Sequence, residues 1–228
     1  MTDGIESIVP QSLIRDLANA PADRPVMLLM RHSARGPLPV GEAGSDVPIT
    51  EAGKRNAKEF GRRLGAQIRS LHSSPVPRCT QTANALREGA NGKLEIAVSR
   101  LLGDPGVYVL DGDLAWGNWE RLGHEEVMRR LVSEDDPLPG MARPDEAARL
   151  LLSHMFASAG NSCGLHLFVT HDSVITATVS RLQGAPHSPS DWPVFLEGAL
   201  FWQGEEGVYV RYREAVSLIR LKGLALPG

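Results

Sequence analysis

The chain has 228 residues, 42% of them hydrophobic and 22% charged, and a formal net charge of −3 at pH 7. This composition is typical of a globular domain, and its charge balance gives no general attraction to nucleic acid or to a membrane surface. A binding site for an anion must therefore be a local cluster of cations. Two cysteines are too few for a disulfide framework, so we expect reduced thiols and a cytoplasmic location.

The first predicted elements are a short leader and a buried strand. Residues 1–25 are expected to form an N-terminal leader with a weak helix at 10–19, and residues 26–228 to form a single domain. The leader lacks the basic region and apolar segment of a secretory signal. The continuous apolar run over 25–32 predicts a strand that is buried on both faces, because a strand with one wet face would alternate.

Strands and helices then alternate along the chain. The segment 49–66 is predicted to be a helix with Thr50 as its N-cap, and a strand follows at 67–74. A second helix is predicted at 75–90, with proline in its first turn, and a third strand at 94–99. This alternation is typical of βα units, so we expect a mostly parallel sheet.

Residues 102–140 differ from the rest of the chain, because they are rich in turn residues, acids and tryptophan. We predict an insertion or lid here, with one helix near 123–132. Helical periodicity returns at 143–159, and a strand at 164–173 and a helix at 173–185 follow. This last strand and helix continue the βα alternation.

Two apolar runs lie towards the end of the sequence. Residues 197–203 and 207–215 predict an antiparallel pair of strands joined by the turn "QGEEG". These strands could pair across a homodimer, or they could form only the edge of the sheet. The sequence leaves both arrangements open.

Two of the predicted strands end in histidine, one as "LLMRH" at His32 and the other as "LFVTH" at His171. Ligands of open parallel sheets bind beyond the carboxyl ends of the strands, so we expect the two imidazoles to face one cavity. Arg31 and Arg35 flank His32, and Arg78 lies at the start of a predicted helix. Because a guanidinium group matches phosphate oxygens, this cluster favours a phosphate site.

Other hydrolase chemistries fit the sequence less well. Asp111 and Asp113 imitate the Asp-x-Asp nucleophile of haloacid dehalogenase-type phosphatases, but the only lysine after them is Lys222 in the tail. Neither cysteine has an arginine six positions later, as a cysteine-based phosphatase would require. No His-Glu-x-x-His pattern indicates a metal hydrolase.

The chain resembles the histidine phosphatase superfamily, which includes phosphoglycerate mutase-like and histidine acid phosphatase enzymes. The Arg-His-Gly motif of that family appears as Arg31-His32-Ser33, and its longer acid phosphatase form appears as "RHSARGP". Three further motifs occur in the expected order as "ITEAG", "SPVPRCTQTA" and "THDS", so that the matches span residues 26–182. Ser33 is the one departure, because the family usually has glycine there.

The resemblance implies a three-layer α/β/α sandwich with a mostly parallel central sheet, and a chemistry that needs no metal and no other cofactor. His32 would attack the phosphorus atom of a small-molecule phosphomonoester and form a phosphohistidine. The side chains implied to bind the phosphate oxygens are Arg31, Arg35, Arg78 and His171.

The leaving alkoxide needs a proton, and the resemblance implies that Asp172 donates it. Asp104 and Glu120 are alternative donors, because they lie in the region where mutase-like relatives keep this group. The residues expected to line the substrate pocket are Ser33, Asp104, Trp116, Trp119 and Glu120. The two tryptophans could equally form the small core of the insertion.

Two other functions remain open on this reading. A phosphomutase would need a second phosphate site, and no further basic cluster indicates one. A non-catalytic module that binds a phosphate ligand could lose His32 or the acid, and both are present, which favours an active enzyme. A sugar phosphate, a nucleotide or a biosynthetic intermediate would suit the pocket, with neither nucleic acid nor membrane as a partner.

Overall fold

The computed structural model describes residues 9–39, 44–90, 92–103 and 106–219. Its helices are α1 (Gln11–Ala18), α2 (Glu51–Leu64), α3 (Pro77–Gly89), α4 (Gly112–Ser133), α5 (Pro144–Ala159) and α6 (Asp172–Gln183). Its strands are β1 (Pro25–Arg31), β2 (Ile68–Ser73), β3 (Ile96–Val98), β4 (Gly164–Thr170), β5 (Gly198–Gln203), β6 (Val208–Tyr212) and β7 (Ala215–Ile219).

The seven strands form one sheet in the order β3-β2-β4-β1-β5-β6-β7. Strands β3, β2, β4 and β1 are parallel to one another, whereas β5 pairs antiparallel with β1 and with β6, and β6 pairs antiparallel with β7. The parallel core and the β5–β6 hairpin confirm the sequence predictions. Strand β7 was not predicted, because its side chains are mostly exposed or half-buried and give no continuous apolar run.

Strand β1 shows how the sheet separates two hydrophobic cores. Its side chains point alternately to opposite faces, as the pleat of a strand requires. Met27 and Leu29 pack in the cluster that includes residues of α4, α5 and α6. Val26, Leu28 and Met30 pack on the other face, against residues of α1, α2 and α3. The three-layer α/β/α arrangement is therefore confirmed.

Helix α4 differs from the short helix predicted near 123–132. It begins at Gly112 and is kinked at Gly123, where the backbone has φ 77° and ψ 166°. Asp111 caps the helix, because its side chain accepts hydrogen bonds from the amides of Asp113 and Leu114. The Asp-x-Asp pattern thus has a structural role here.

Within the described ranges, no helix is both long and apolar enough to cross a membrane.

Helices α2 and α3 approach each other so closely that their contact requires glycine. A Cβ atom added to Gly61 would lie 2.0 Å from the carbonyl oxygen of Leu86, and one added to Gly89 would lie 1.9 Å from that of Lys58. Both obstacles are backbone atoms, which cannot move aside as a flexible side chain can. This contact fixes the position of α3 and hence of Arg78 in its first turn.

Replacing Gly61 by alanine should therefore lower the free energy of unfolding by about 2–3 kcal/mol, because the helices must separate to admit the methyl group. The matched control is Gly117→Ala in helix α4, where nothing lies within 4 Å of an added Cβ. That change should raise the free energy of unfolding by up to about 1 kcal/mol. Urea denaturation of both variants checks this, and equal effects would contradict the close contact.

Candidate active site

The candidate site lies where β1 and β4 end side by side. The two strands are parallel, with Arg31 opposite Thr170 in the register. The amide of His32 donates a hydrogen bond of 3.0 Å to the carbonyl of Thr170, which continues the pairing past the end of β1. His171 follows Thr170 directly, and the ring centroids of His32 and His171 are 5.6 Å apart. The structure therefore brings the two strand-end histidines together.

His32 is held in a single tautomer. Its Nδ1 atom lies 2.8 Å from the carbonyl oxygen of Ser33, which can only accept, so Nδ1 carries the proton and Nε2 keeps its lone pair. The residue is 2% exposed. Burial, reinforced by the charges of Arg78 and Arg31, lowers the pKa of His32 to about 2. The imidazole is thus neutral at physiological pH and has a free nitrogen.

His171 is neutral for similar reasons. Burial and the neighbouring Arg78 lower the pKa of His171 to about 3. Nη2 of Arg78 lies 3.3 Å from Nδ1 of His171 and can only donate, so Nε2 carries the proton and faces the hydroxyl of Ser74 at 3.3 Å. Nearby, burial raises the pKa of the Cys79 thiol to about 12, which makes it a poor nucleophile.

Arg31 is positioned by the chain that precedes β5. Its Nη1 donates 2.8 Å to the carbonyl of Pro193, and its guanidinium lies 4.3 Å from the ring centroid of Phe195. Its Nη2 forms a 2.7 Å ion pair with the carboxylate of Asp172. The buried Nε atoms of Arg31 and Arg35 have no hydrogen-bond partner among the described residues. Buried donors of this kind suit an anionic ligand.

The other two arginines arrive from different elements. Arg35 follows β1 in a loop, and its Nη1 donates 2.9 Å to the carbonyl of Gly36. Arg78 lies in the first turn of α3, and its Nη1 donates 2.9 Å to the carbonyl of Gly44. Both side chains line the same cavity as His32 and His171. The structure thus collects cations around one buried imidazole.

Asp172 is the first residue of α6. One carboxylate oxygen accepts from the amide of Ser173 at 2.9 Å, and the other forms the ion pair with Arg31. Glu120 is exposed and is not among the described residues that line the cavity, and Asp104 lies outside the described residues. Of the three candidate proton donors, Asp172 is the one that the described cavity contains.

The cavity has a volume of about 680 Å³, and Trp116 and Trp119 of α4 form part of its wall. His124, an exposed residue of α4, also lines it, and no sequence motif indicates this. Sequence reasoning also missed Pro193 and Phe195, which hold Arg31 from a distant part of the chain. No motif marks these residues, and only the course of the chain brings them to the site.

Ser33, at the family's glycine position, has a specific structural role. Its hydroxyl donates 2.8 Å to the carbonyl of Gly53 in α2, and its amide donates 2.9 Å to the hydroxyl of Thr82 in α3. The residue is 1% exposed and is not among the described residues that line the cavity. Ser33 therefore ties the strand end to two helices, and a substrate-pocket role stays a prediction.

The described residues contain no group of three or more His, Cys, Asp or Glu side chains that could hold a metal ion. The expected independence from metal remains a prediction, which an activity assay in chelator tests.

The sequence matches the family model of the histidine phosphatase superfamily (branch 1) over residues 27–195. The chain belongs to this superfamily. None of the curated protein sequences is similar enough to be matched to it. The family resemblance of the motifs is thereby confirmed at the level of superfamily, whereas the acid phosphatase type of the individual motifs stays a prediction.

Solved structures share the fold at low sequence identity. A phosphoserine phosphatase from Entamoeba histolytica, in complex with phosphoserine, has a TM-score of 0.57 and 15% identity over 82% of this chain and 94% of its own. A mycobacterial glucosyl-3-phosphoglycerate phosphatase has a TM-score of 0.54 and 20% identity, with 77% and 89% covered. A phosphoglycerate mutase from Bacillus anthracis has a TM-score of 0.54 and 16% identity, with 88% and 93% covered.

The low pKa of His32 predicts a specific pH dependence of stability. Unfolded His32 titrates at its ordinary pKa of 6.5, whereas the folded residue titrates at about 2. Between these values the unfolded state binds one more proton, so the free energy of unfolding falls as the pH is lowered. In His32→Asn, the slope of this free energy between pH 3 and 6 should decrease by about 1.4 kcal/mol per pH unit. Urea titrations at several pH values measure it, and an unchanged slope would contradict the assignment.

Proposed function

We propose that this protein is a metal-independent phosphatase that hydrolyses small-molecule phosphomonoesters through a phosphohistidine on His32. The observation that carries this proposal is the state of that imidazole. Its Nδ1–H is bonded to the carbonyl of Ser33, its Nε2 is unprotonated, and burial keeps it neutral among cations. A neutral histidine with one free nitrogen is the form that can attack phosphorus.

The reaction has two displacements. Nε2 of His32 bonds to phosphorus while the ester P–O bond breaks, and the alcohol leaves after it receives a proton. Water then attacks the phosphohistidine and gives a proton to the Asp172 carboxylate, the P–N bond breaks, and inorganic phosphate and neutral His32 are released. The groups that stabilise the charge of the transferred phosphoryl group are Arg31, Arg35, Arg78 and His171.

Asp172 is the proposed proton donor, and its contacts define how it would act. In the ion pair with Arg31 it accepts and has no proton to give. The phosphate group of the ester competes for the same guanidinium group, and the displaced carboxyl group of Asp172 can then carry a proton from solvent to the leaving oxygen. The carboxyl group then protonates the leaving alkoxide, with help of about 10²–10⁴-fold in rate.

Hydrolysis is favoured over mutase chemistry by the charges of the described cavity wall. The cationic side chains there are Arg35 and Arg78, and both belong to the proposed site of the transferred phosphate. A mutase must also bind a second phosphate, and the described wall has no further cationic side chain for it.

We further propose a cytoplasmic location, because both Cys79 and Cys163 are free thiols.

The primary test is hydrolysis of p-nitrophenyl phosphate between pH 4 and 8 in the presence of a chelator. The wild type should be active there, and His32→Ala should be at least about a thousandfold slower, because the nucleophile is lost. His187→Ala is the matched control, since this ring stacks on Tyr212 and is not among the described cavity residues. Activity that survives in His32→Ala would overturn the nucleophile, and loss in chelator would indicate a metal enzyme.

Asp172→Asn should slow poor leaving groups much more than good ones. A p-nitrophenolate ion leaves without protonation, whereas an alkoxide requires the proton, so the expected loss is about 10²–10⁴-fold on alkyl phosphates and far smaller on p-nitrophenyl phosphate. Steady-state rates on both substrates measure the difference. Equal losses would show that Asp172 acts by positioning Arg31 and that the proton comes from another group.

A further inference from the structure

The cavity has a charged end and an apolar remainder. Its charged lining side chains among the described residues are Arg35, Arg78 and Asp172. All three act electrostatically on His171, whose ring lies 5.6 Å from that of His32, where the phosphoryl group would bind. Apolar and aromatic side chains form much of the remaining wall: Leu38, Val109, Trp116, Trp119, Met141 and Val174. This division separates the place of the phosphate from the place of the alcohol.

The two tryptophans present apolar surface to the cavity. Trp116 and Trp119 are three residues apart on α4, so their side chains lie on neighbouring positions of one helix face. Nε1 of Trp119 donates 3.3 Å to Nδ1 of His124, so the polar group of this indole already has a partner. Tyr108 likewise turns its hydroxyl to Thr178 at 2.9 Å. Trp119 and Tyr108 therefore offer their ring faces and edges, with their polar groups engaged elsewhere.

A charged group on the substrate's alcohol would find no charged partner in the apolar part of the cavity. Beyond the phosphate end, the described wall has no lysine, arginine, aspartate or glutamate, and its remaining imidazole, His124, is exposed and already accepts from Trp119. A carboxylate or a second phosphate placed there would lose water without gaining a charged partner. An apolar group would gain by leaving water, at about 25 cal/mol per Å² of buried surface.

We propose that the substrate's alcohol carries an uncharged, aromatic-sized apolar group, which packs against Trp116 and Trp119 while the phosphate lies at His32. The cavity of about 680 Å³ is within the range of pockets that enclose ligands of this size. Leu38, which is 39% exposed, lines the same cavity and adds apolar surface to its wall. This inference rests on the proposed phosphatase function and assigns its substrate class.

The test compares alkyl phosphates whose leaving alcohols have similar basicity, so that chemistry is constant and only the pocket distinguishes them. The wild type should have a kcat/KM for 2-phenylethyl phosphate roughly 10- to 100-fold above that for ethyl phosphate. Phosphoserine and 3-phosphoglycerate should not exceed ethyl phosphate. Equal kcat/KM values for 2-phenylethyl and ethyl phosphate would overturn the inference, and so would a higher value for phosphoserine or 3-phosphoglycerate. Either result would leave the phosphatase function intact.

A binding measurement keeps the inference testable if no ester is hydrolysed. Calorimetry compares 3-phenylpropylphosphonate with propylphosphonate, which cannot be cleaved. At least tenfold tighter binding of the phenyl compound supports the apolar pocket whatever the catalytic result, and equal binding overturns it. Failure to hydrolyse p-nitrophenyl phosphate would instead count against the proposed function.

The variants Trp116→Ala and Trp116→Leu locate the pocket. The ratio of kcat/KM between 2-phenylethyl and ethyl phosphate should fall about tenfold in the alanine variant and less in the leucine variant, which keeps apolar surface. Trp202→Ala is the matched control, because this ring stacks on Tyr209 of the sheet and is not among the described cavity residues. An unchanged ratio in a folded Trp116→Ala protein, as judged by its thermal unfolding, would contradict the proposal.

Discussion

The parallel pairing of β1 with β4 is the constraint on which the whole site depends. It sets Arg31 opposite Thr170 and extends by one hydrogen bond to the amide of His32, so both strand-end histidines have fixed backbones. Arg35 reaches the site from a loop, and Arg78 and Asp172 reach it from the first turns of α3 and α6. Because the two strands are buried on both faces, the proposed nucleophile, His32, is attached to the buried centre of the sheet. Rigid support of this kind is what precise attack on phosphorus requires.

Much of the fold could be predicted because the periodic signals are strong. The buried runs of β1 and β4 and the capped start of α2 at Thr50 fall where the sequence indicated. The length of α4 could not be predicted, because Gly123 interrupts its periodicity and its first half contains many residues that are common in turns. Only packing shows that Val127 and Met128 of this helix belong to the core.

The residues of the site could be predicted from the sequence, whereas most of the contacts between them could not. A histidine at the end of a parallel strand indicates a functional edge, and His32 and His171 do lie together there. The sequence has no signal for the contact of Arg31 with Phe195, since these residues are far apart in the chain and in no shared motif. The hydrogen bond of Ser33 to Gly53 was equally hidden, because it depends on how α2 docks.

The ion pair between Arg31 and Asp172 has a consequence for the release of product. The site contains its own counter-ion, so an oxyanion that binds at Arg31 exchanges with a carboxylate and does not simply add to a bare cation. Part of the attraction between the guanidinium group and phosphate is offset by separation of this pair. In the proposed reaction, inorganic phosphate would therefore be held less firmly than the cations alone would hold it, and return of Asp172 to Arg31 would help to expel it. The same carboxylate that would assist departure of the alcohol would thus also clear the site for the next ester.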